Sequence, residues 1–176
     1  MADAKYDQQL QHAAVRWERR KFPLIVACDD WQDPRNVGMA FRLAESFGLA
    51  ELWLGGSTPQ PPNRKLSKTA RSTVERVPYR AVPNLVTELR MAKTEGYARV
   101  GIEITKQSRP LREIVETTVP QPTVLVLGAE SVGIQATVLA ELDTCAHIPM
   151  YGQNTSLNVA TALGIALYAW TEALSM

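Results

Sequence analysis

Six short apolar runs punctuate the chain: "FPLIVACDD", "AELWLGG", "RVPY", "ARVGIEIT", "PTVLVLGAE" and "CAHIPM". Each is bounded by turn residues and is short enough to be a strand. Between several of them the apolar positions recur every three or four residues, which predicts helices over residues 36–48, about 83–95, a short one after Gly133, and 156–174. Strands alternating with helices predict an α/β fold, a mostly parallel sheet with helices on both faces. Residues 55–73 lack periodicity and carry Pro59, Pro61 and Pro62, so they read as a long loop. Loops of that length are usually functional or disordered. Leu10, Ala13, Ala14 and Trp17 repeat at helical spacing, which predicts a short helical extension over residues 1–21. With 176 residues and no repeat or linker, one domain spanning 1–176 is expected.

Composition narrows the class. No apolar stretch is long enough to cross a bilayer as a helix, and "MADAKYDQQLQHAAVRWERRK" lacks the apolar core of a secretory signal, so a cytoplasmic protein is expected. Cys28 and Cys145 lie in separate strand-like runs and read as free buried thiols. His12 and His147 are the only histidines and form no cluster of metal-ligand spacing, so no metal is expected.

The net charge of +1 hides an asymmetry. Residues 1–80 hold 13 Lys and Arg against 9 Asp and Glu, whereas residues 81–176 hold 6 against 9. Within the basic half, "NRKLSKTARSTVERVPYR" sets Arg64, Lys65, Lys68, Arg71, Arg76 and Arg80 against the single acid Glu75. Such density suits a polyanion such as RNA, because each neutralised phosphate releases counterions. A solvated surface loop accounts for the same composition.

Three stretches combine glycine with polar residues. In "DPRNVGMAFRLAESFG", Asn36 is a plausible helix N-cap, Met39, Leu43 and Phe47 form one stripe, and Gly48 closes the helix. Gly38 inside that helix costs stability, which hints at close approach by backbone or ligand. Arg42 precedes Glu45 by three residues, a spacing that a surface ion pair also explains. In "TVLVLGAESVGI" a buried strand runs into Gly128 and a turn bearing Glu130 and Gly133. Ligands of open parallel sheets bind at such carboxyl ends. G-x-G-x-x-G is absent, and the glycines flanking Ser131 are misplaced for a nucleophile elbow. In "HIPMYGQNTSLNVATALGIALYAW" a strand and a glycine loop lead to a helix capped by Thr155 or Ser156. Ala160, Ala162, Gly164, Ala166 and Ala169 permit close packing, and Asn158 is the one residue that burial does not explain.

In this order, "NVGMAFR", "LVLGAESVGI" and "IPMYGQNTSLNVATALGIAL" resemble the three motifs of SPOUT-class RNA methyltransferases, in particular the TrmH-like (SpoU) family of ribose 2′-O-methyltransferases. The resemblance covers nearly the whole chain. It implies a C-terminal trefoil knot, against the general rule that chains do not thread loops. It also implies a homodimer with the C-terminal helix at or near the contact, and S-adenosylmethionine as cofactor. Cofactor contacts then fall on Leu127, Gly128, Glu130, Gly133, Ile148, Met150, Ser156 and Leu157. Catalytic roles fall on Asn36, Arg42, Glu130, Ser156 and Asn158.

The implied reaction moves a methyl group to a ribose 2′-hydroxyl of tRNA or rRNA, which requires alignment and loss of the hydroxyl proton. A guanidinium holds its proton too tightly to be a comfortable base. Arg42 is therefore expected to bind phosphate and stabilise the alkoxide, with Glu130 orienting Arg42 or the nearby loop and Asn36 setting the geometry of the Arg42 helix. Many relatives carry added RNA-binding segments, so the RNA grip is expected on Arg64, Lys65, Lys68 and Arg71, with "RWERRK" as a second patch. A base methyltransferase and a catalytically idle RNA-binding or assembly factor are the rival readings.

Overall fold

The structure is a computed structural model and describes residues 10, 11, 14, 15 and 18–176. The chain runs β1 (Phe22–Asp29), α1 (Pro34–Ser46), β2 (Leu49–Gly55), α2 (Arg64–Ala70), β3 (Tyr79–Val82), α3 (Leu85–Thr94), β4 (Ala98–Ile102), β5 (Arg109–Pro110), α4 (Leu111–Thr118), β6 (Thr123–Gly128), α5 (Ala136–Leu139), β7 (Thr144–His147) and α6 (Val159–Ser175). A 3-10 turn, Arg71–Glu75, follows α2. The strands form one seven-stranded sheet in the order β3-β2-β1-β6-β4-β7-β5, and every pairing is parallel.

Alternation along the central strands explains why helices cover both faces. Leu24, Val26 and Cys28 of β1 and Leu125 and Leu127 of β6 face a large core with α1, α2, α4 and α6, where Phe41, Leu66, Ile114, Leu163 and Trp170 are buried. Ile25, Ala27, Val124 and Val126 face the other way, onto Leu85 and Leu89 of α3 and Val138 of α5. Strands buried on both faces need apolar residues at nearly every position, which is what "LIVAC" and "VLVL" supply. On β4, Arg99 is 3% exposed and is held by Asp143 through Nε at 3.1 Å and the backbone N–H at 2.9 Å. Among the described residues, no helix is long and apolar enough to cross a membrane.

Several boundaries differ from the expectation. Asp33, not Asn36, caps α1: its carboxylate accepts from the Arg35 N–H at 2.8 Å, and Pro34 opens the helix, where its missing N–H costs nothing. The predicted loop over residues 55–73 contains α2, capped by Asn63 and anchored by buried Leu66 and Ala70. β3 spans Tyr79–Val82 and shares only Tyr79 with the expected run over residues 76–79, and β5 and α4 were not anticipated. α6 starts at Val159, and its cap is Asn158 rather than Thr155 or Ser156. Both cysteines are free, but Cys145 is only half-buried. The expected N-terminal helix falls largely outside the described residues, as do Arg16 and Trp17 of the second basic patch; Leu10 is exposed.

Candidate active site

A cavity opens at the carboxyl ends of β4, β6 and β7, between the turn after β6 and the passage from β7 to α6. All eight residues expected to contact a cofactor line it. The turn is compact because Gly128 and Gly133 are pressed together: a Cβ on Gly128 would lie 2.0 Å from the Gly133 carbonyl carbon. The Gly133 N–H donates to the Ala129 carbonyl at 2.8 Å, and Gly133 takes a φ of +69°, a region that glycine enters without strain. Trp31, fully buried, donates its indole N–H to the Leu127 carbonyl at 2.8 Å and fixes the end of β6 from below. Among the described residues the charged groups lining the cavity are Glu103 and Glu130, with no Lys or Arg. Glu103 and His147 were not expected there, although Glu103 directly follows β4 and His147 ends β7, where open parallel sheets bind ligands.

Side chains from the three motifs meet at the mouth of this cavity. Asn158 uses its Oδ1 to accept from the Ala160 and Thr161 N–H groups at 3.0 and 3.2 Å, which leaves its amide N–H₂ free to reach outward. It donates to Asn36 Oδ1 at 3.2 Å, and Asn36 Nδ2 in turn donates to Glu130 Oε1 in a short contact. Residues 122 positions apart are thus joined in one relay. Ser156 lines the cavity and is exposed, outside the relay.

Arg42 stands apart from this group. Six residues after Asn36 it lies about 9 Å further along α1 and roughly 120° around it. It is exposed and, among the described residues, has neither a hydrogen-bond nor an ion-pair partner. Glu45 pairs with Arg76 at 3.6 Å instead, so the expected Arg42–Glu45 alternative does not form. Glu130 orients Asn36 rather than Arg42, because the turn after β6 meets α1 at its first turn.

A second tier holds the turn from beneath. Asp29, 2% exposed, accepts from the Gln135 backbone N–H at 2.8 Å and its side-chain Nε2 at 2.9 Å. Burial raises the Asp29 carboxyl above its usual range, and the two Gln135 hydrogen bonds oppose that rise. Asp30 accepts from the Ser57 N–H at 2.6 Å and hydroxyl at 2.8 Å, which hold its carboxyl below the usual range. Burial, reinforced by the charge of Glu130, pushes the Cys28 thiol far up, so it remains a neutral packing group.

The basic stretch takes its place through Gly38. A Cβ there would lie 2.6 Å from the Leu66 carbonyl oxygen and 2.8 Å from Thr69 Cβ, so the glycine admits α2 against α1. Arg64, Lys65, Lys68 and Arg71 are all exposed, with no side-chain hydrogen bond or ion pair among the described residues. Arg76 and Arg80 of the same stretch are engaged, Arg80 with Glu51 and Glu88 and stacked 4.6 Å from the Trp53 ring centroid. Thr69 of α2 lines a shallow apolar hollow with Asn36, Met39, Leu43, Asn158 and Tyr168. Along it, Ile165 and Tyr168 of α6 are 39% and 60% exposed.

A wholly parallel sheet with its cavity at the strand ends, closed by a glycine turn and a returning C-terminal segment, defines the class as the α/β fold of SPOUT proteins. The chain belongs to the SpoU rRNA methylase family, whose model matches residues 23–168. It is 32% identical over 146 residues to the 23S rRNA (guanosine-2′-O-)-methyltransferase RlmB of Vibrio parahaemolyticus, covering 83% of this chain and 58% of that protein. The structure of the A. aeolicus TrmH/SpoU tRNA modifying enzyme matches with a TM-score of 0.79 at 29% identity, covering 90% of this chain and 78% of that one. An AdoMet-bound rRNA methyltransferase from Sinorhizobium meliloti matches with a TM-score of 0.78 at 26% identity, covering 90% and 62%. The chain spans less than two thirds of the length of the curated relatives it matches.

Proposed function

We propose that this protein is an S-adenosylmethionine-dependent methyltransferase acting on a ribose 2′-hydroxyl of tRNA or rRNA. The observation that carries the reading is the relay Asn158–Asn36–Glu130, which joins all three motifs at the mouth of a cavity lined by every residue expected to contact the cofactor. The lining fits that group: apolar Leu127 and Ile148 suit a nucleobase, glycine backbone admits close approach, and two carboxylates, with no Lys or Arg among the described lining residues, suit a sulfonium. Bound there, the cofactor supplies an electrophilic methyl group.

The chain's own residues supply position and proton handling. Leu127, Gly128, Gly133, Ile148, Met150, Ser156 and Leu157 hold the cofactor, and Asn158 and Asn36 align the ribose at the mouth. Glu130 is a carboxylate that both lines the cavity and joins the relay, so it is the group placed to accept the hydroxyl proton. Arg42 binds phosphate and steadies the developing alkoxide. Its distance from the relay fits a site completed by a second copy of the chain, and the exposed Ile165 and Tyr168 beside Met39 and Leu43 are the face on which that homodimer forms. RNA is gripped by the exposed cations Arg64, Lys65, Lys68 and Arg71, which make no side-chain hydrogen bond or ion pair among the described residues. The passage from β7 into α6 is the trefoil knot, and catalysis is metal-free and cytoplasmic.

Calorimetry with S-adenosylmethionine, followed by methyl transfer to bulk RNA and nucleoside mass spectrometry, tests this reading. A 2′-O-methylnucleoside is the expected product. A methylated base overturns the ribose assignment, and cofactor binding without any transfer identifies an idle RNA-binding factor.

A further inference from the structure

Glu103 is the charged residue of the cavity that the motifs do not contain. It follows β4 directly, and its backbone N–H donates to the Ala146 carbonyl at 3.0 Å, which ties the end of β4 to β7. Its carboxylate accepts from two backbone groups: Oε1 from the Ile104 N–H at 2.9 Å and Oε2 from the Ile134 N–H at 3.2 Å. A Cβ on Gly133 would lie 2.5 Å from Oε2, so the glycine leaves the room that the carboxylate occupies. The side chain is therefore clamped between two strand ends and has one orientation relative to the cavity it lines.

That clamp uses about half of its acceptor capacity, since an ionised carboxylate offers roughly four lone-pair sites. No Lys, Arg or His pairs with it among the described residues. A half-buried, fixed carboxylate with unused acceptors favours a ligand that brings O–H or N–H donors, because unmet polar groups at a closed site are costly. Its position at the carboxyl end of a parallel strand, next to the apolar residues Ile102, Leu127 and Ile148, is where open α/β sheets bind ligands, and a carboxylate held there can accept from the hydroxyls of a nucleoside ribose.

We infer that Glu103 is a ligand-binding residue that recognises the ribose diol of the bound nucleoside while fixing the Gly133–Ile134 turn. This rests on the reading of the cavity as the S-adenosylmethionine site. It separates two functions of the pocket: Glu130 serves the methyl acceptor at the mouth, and Glu103 serves the cofactor within.

Calorimetry on the full chain tests it with three ligands: S-adenosylhomocysteine, its 2′-deoxyribose analogue, and 5′-deoxy-5′-methylthioadenosine, which lacks the amino-acid part. The wild type is expected to bind the 2′-deoxy analogue roughly 10- to 100-fold more weakly than the parent, the size of a hydrogen bond to a charged group. In Glu103→Ala the parent weakens by a similar factor and the two ligands bind within about threefold of each other. A merely structural role would weaken both ligands equally and keep the discrimination, which overturns the inference. Equal binding of the two by the wild type overturns it without any variant. A penalty that follows loss of the amino-acid part rather than the hydroxyl also overturns it and gives Glu103 to the ammonium. If the wild type binds no S-adenosylhomocysteine, the cavity reading itself falls; if it binds without diol discrimination, only the role of Glu103 falls.

Discussion

The cavity at the ends of β4, β6 and β7 and the ridge formed by α2 treat charge in opposite ways. Inside the cavity each carboxylate is tied: Glu103 to two backbone N–H groups, Glu130 to Asn36, and Asp29 just beneath to Gln135. On the ridge, Arg64, Lys65, Lys68 and Arg71 are exposed and unpaired among the described residues. A small ligand must be met by groups already held in place, since ordering them on binding would consume affinity. A polyanion is met by mobile cations that displace its counterions, and neutralising those cations within the protein would remove the effect. Arg76 and Arg80 illustrate the difference, because both are already engaged by acids of the same chain.

The sharpest break on the cavity side is Gly128→Ala. With a Cβ 2.0 Å from the Gly133 carbonyl carbon, the turn must move, and S-adenosylhomocysteine affinity by calorimetry is expected to fall more than about 100-fold. RNA binding through the ridge should survive, as measured by filter retention; its loss would show that the two regions are one unit.

Asp143→Ala leaves the Arg99 guanidinium buried and unpaired. Breaking a buried pair costs about 3–5 kcal/mol, and because Asp143 is 46% exposed the lower end, about 3 kcal/mol, is expected from denaturant unfolding. A loss below about 1 kcal/mol would mean that Arg99 finds another acceptor.

Charge reversal at Lys65, Lys68 and Arg71 addresses the ridge. RNA affinity should drop by about 10- to 100-fold at moderate salt, and the slope of log K against log salt should flatten by roughly 0.7–0.9 for each phosphate that is no longer neutralised. Cofactor binding should not change. An unaltered salt slope would reduce the ridge to a solvated surface.

The smallest expected effect is on the acid limb of stability. Hydrogen bonds from Ser57 hold the Asp30 carboxyl below its ordinary 3.8; at Asp143 burial pushes upward, but Arg99 outweighs it and the net shift is down. Groups held down bind protons less readily folded than unfolded, so their contribution is present above about pH 4 and is lost as pH falls further. Asp29, raised by burial, acts in the opposite sense: its carboxylate form costs stability above its folded pKa, and protonation relieves that cost. Acidification below about pH 4 should remove the contributions of Asp30 and Asp143 while protonation of Asp29 offsets part of that loss, and Asp143→Asn should flatten the midpoint curve.

Much of the pocket was legible because its residues are local. Gly128 and Gly133 lie in one turn, and Met150 to Leu157 in one passage, so the three motifs already marked the walls. α2 was not legible: seven residues with two buried positions carry too little periodicity, and neighbouring prolines argue for a loop. β5 is a two-residue strand whose existence depends on β7 lying beside it. For α4 the signal was present, since Leu111, Ile114 and Val115 fall at i, i+3 and i+4. The caps differ from expectation because Asp33, Asn36, Thr155, Ser156 and Asn158 are all acceptable cap residues, and only the backbone geometry chooses among them.

The amino-acid sequence by itself determined the class of fold, the strands buried on both faces, and the basic and acidic halves, which follow from composition and periodicity within a few turns of chain. The expected cofactor contacts came only through the resemblance of its three motifs to a known family. Tertiary structure alone decided that Asn158, Asn36 and Glu130 form one relay, that Arg42 lies outside it, that Gly38 serves helix packing, and that Glu103 belongs to the cavity. Each of these joins groups from separate elements, and which side chains meet there depends on strand order and helix placement.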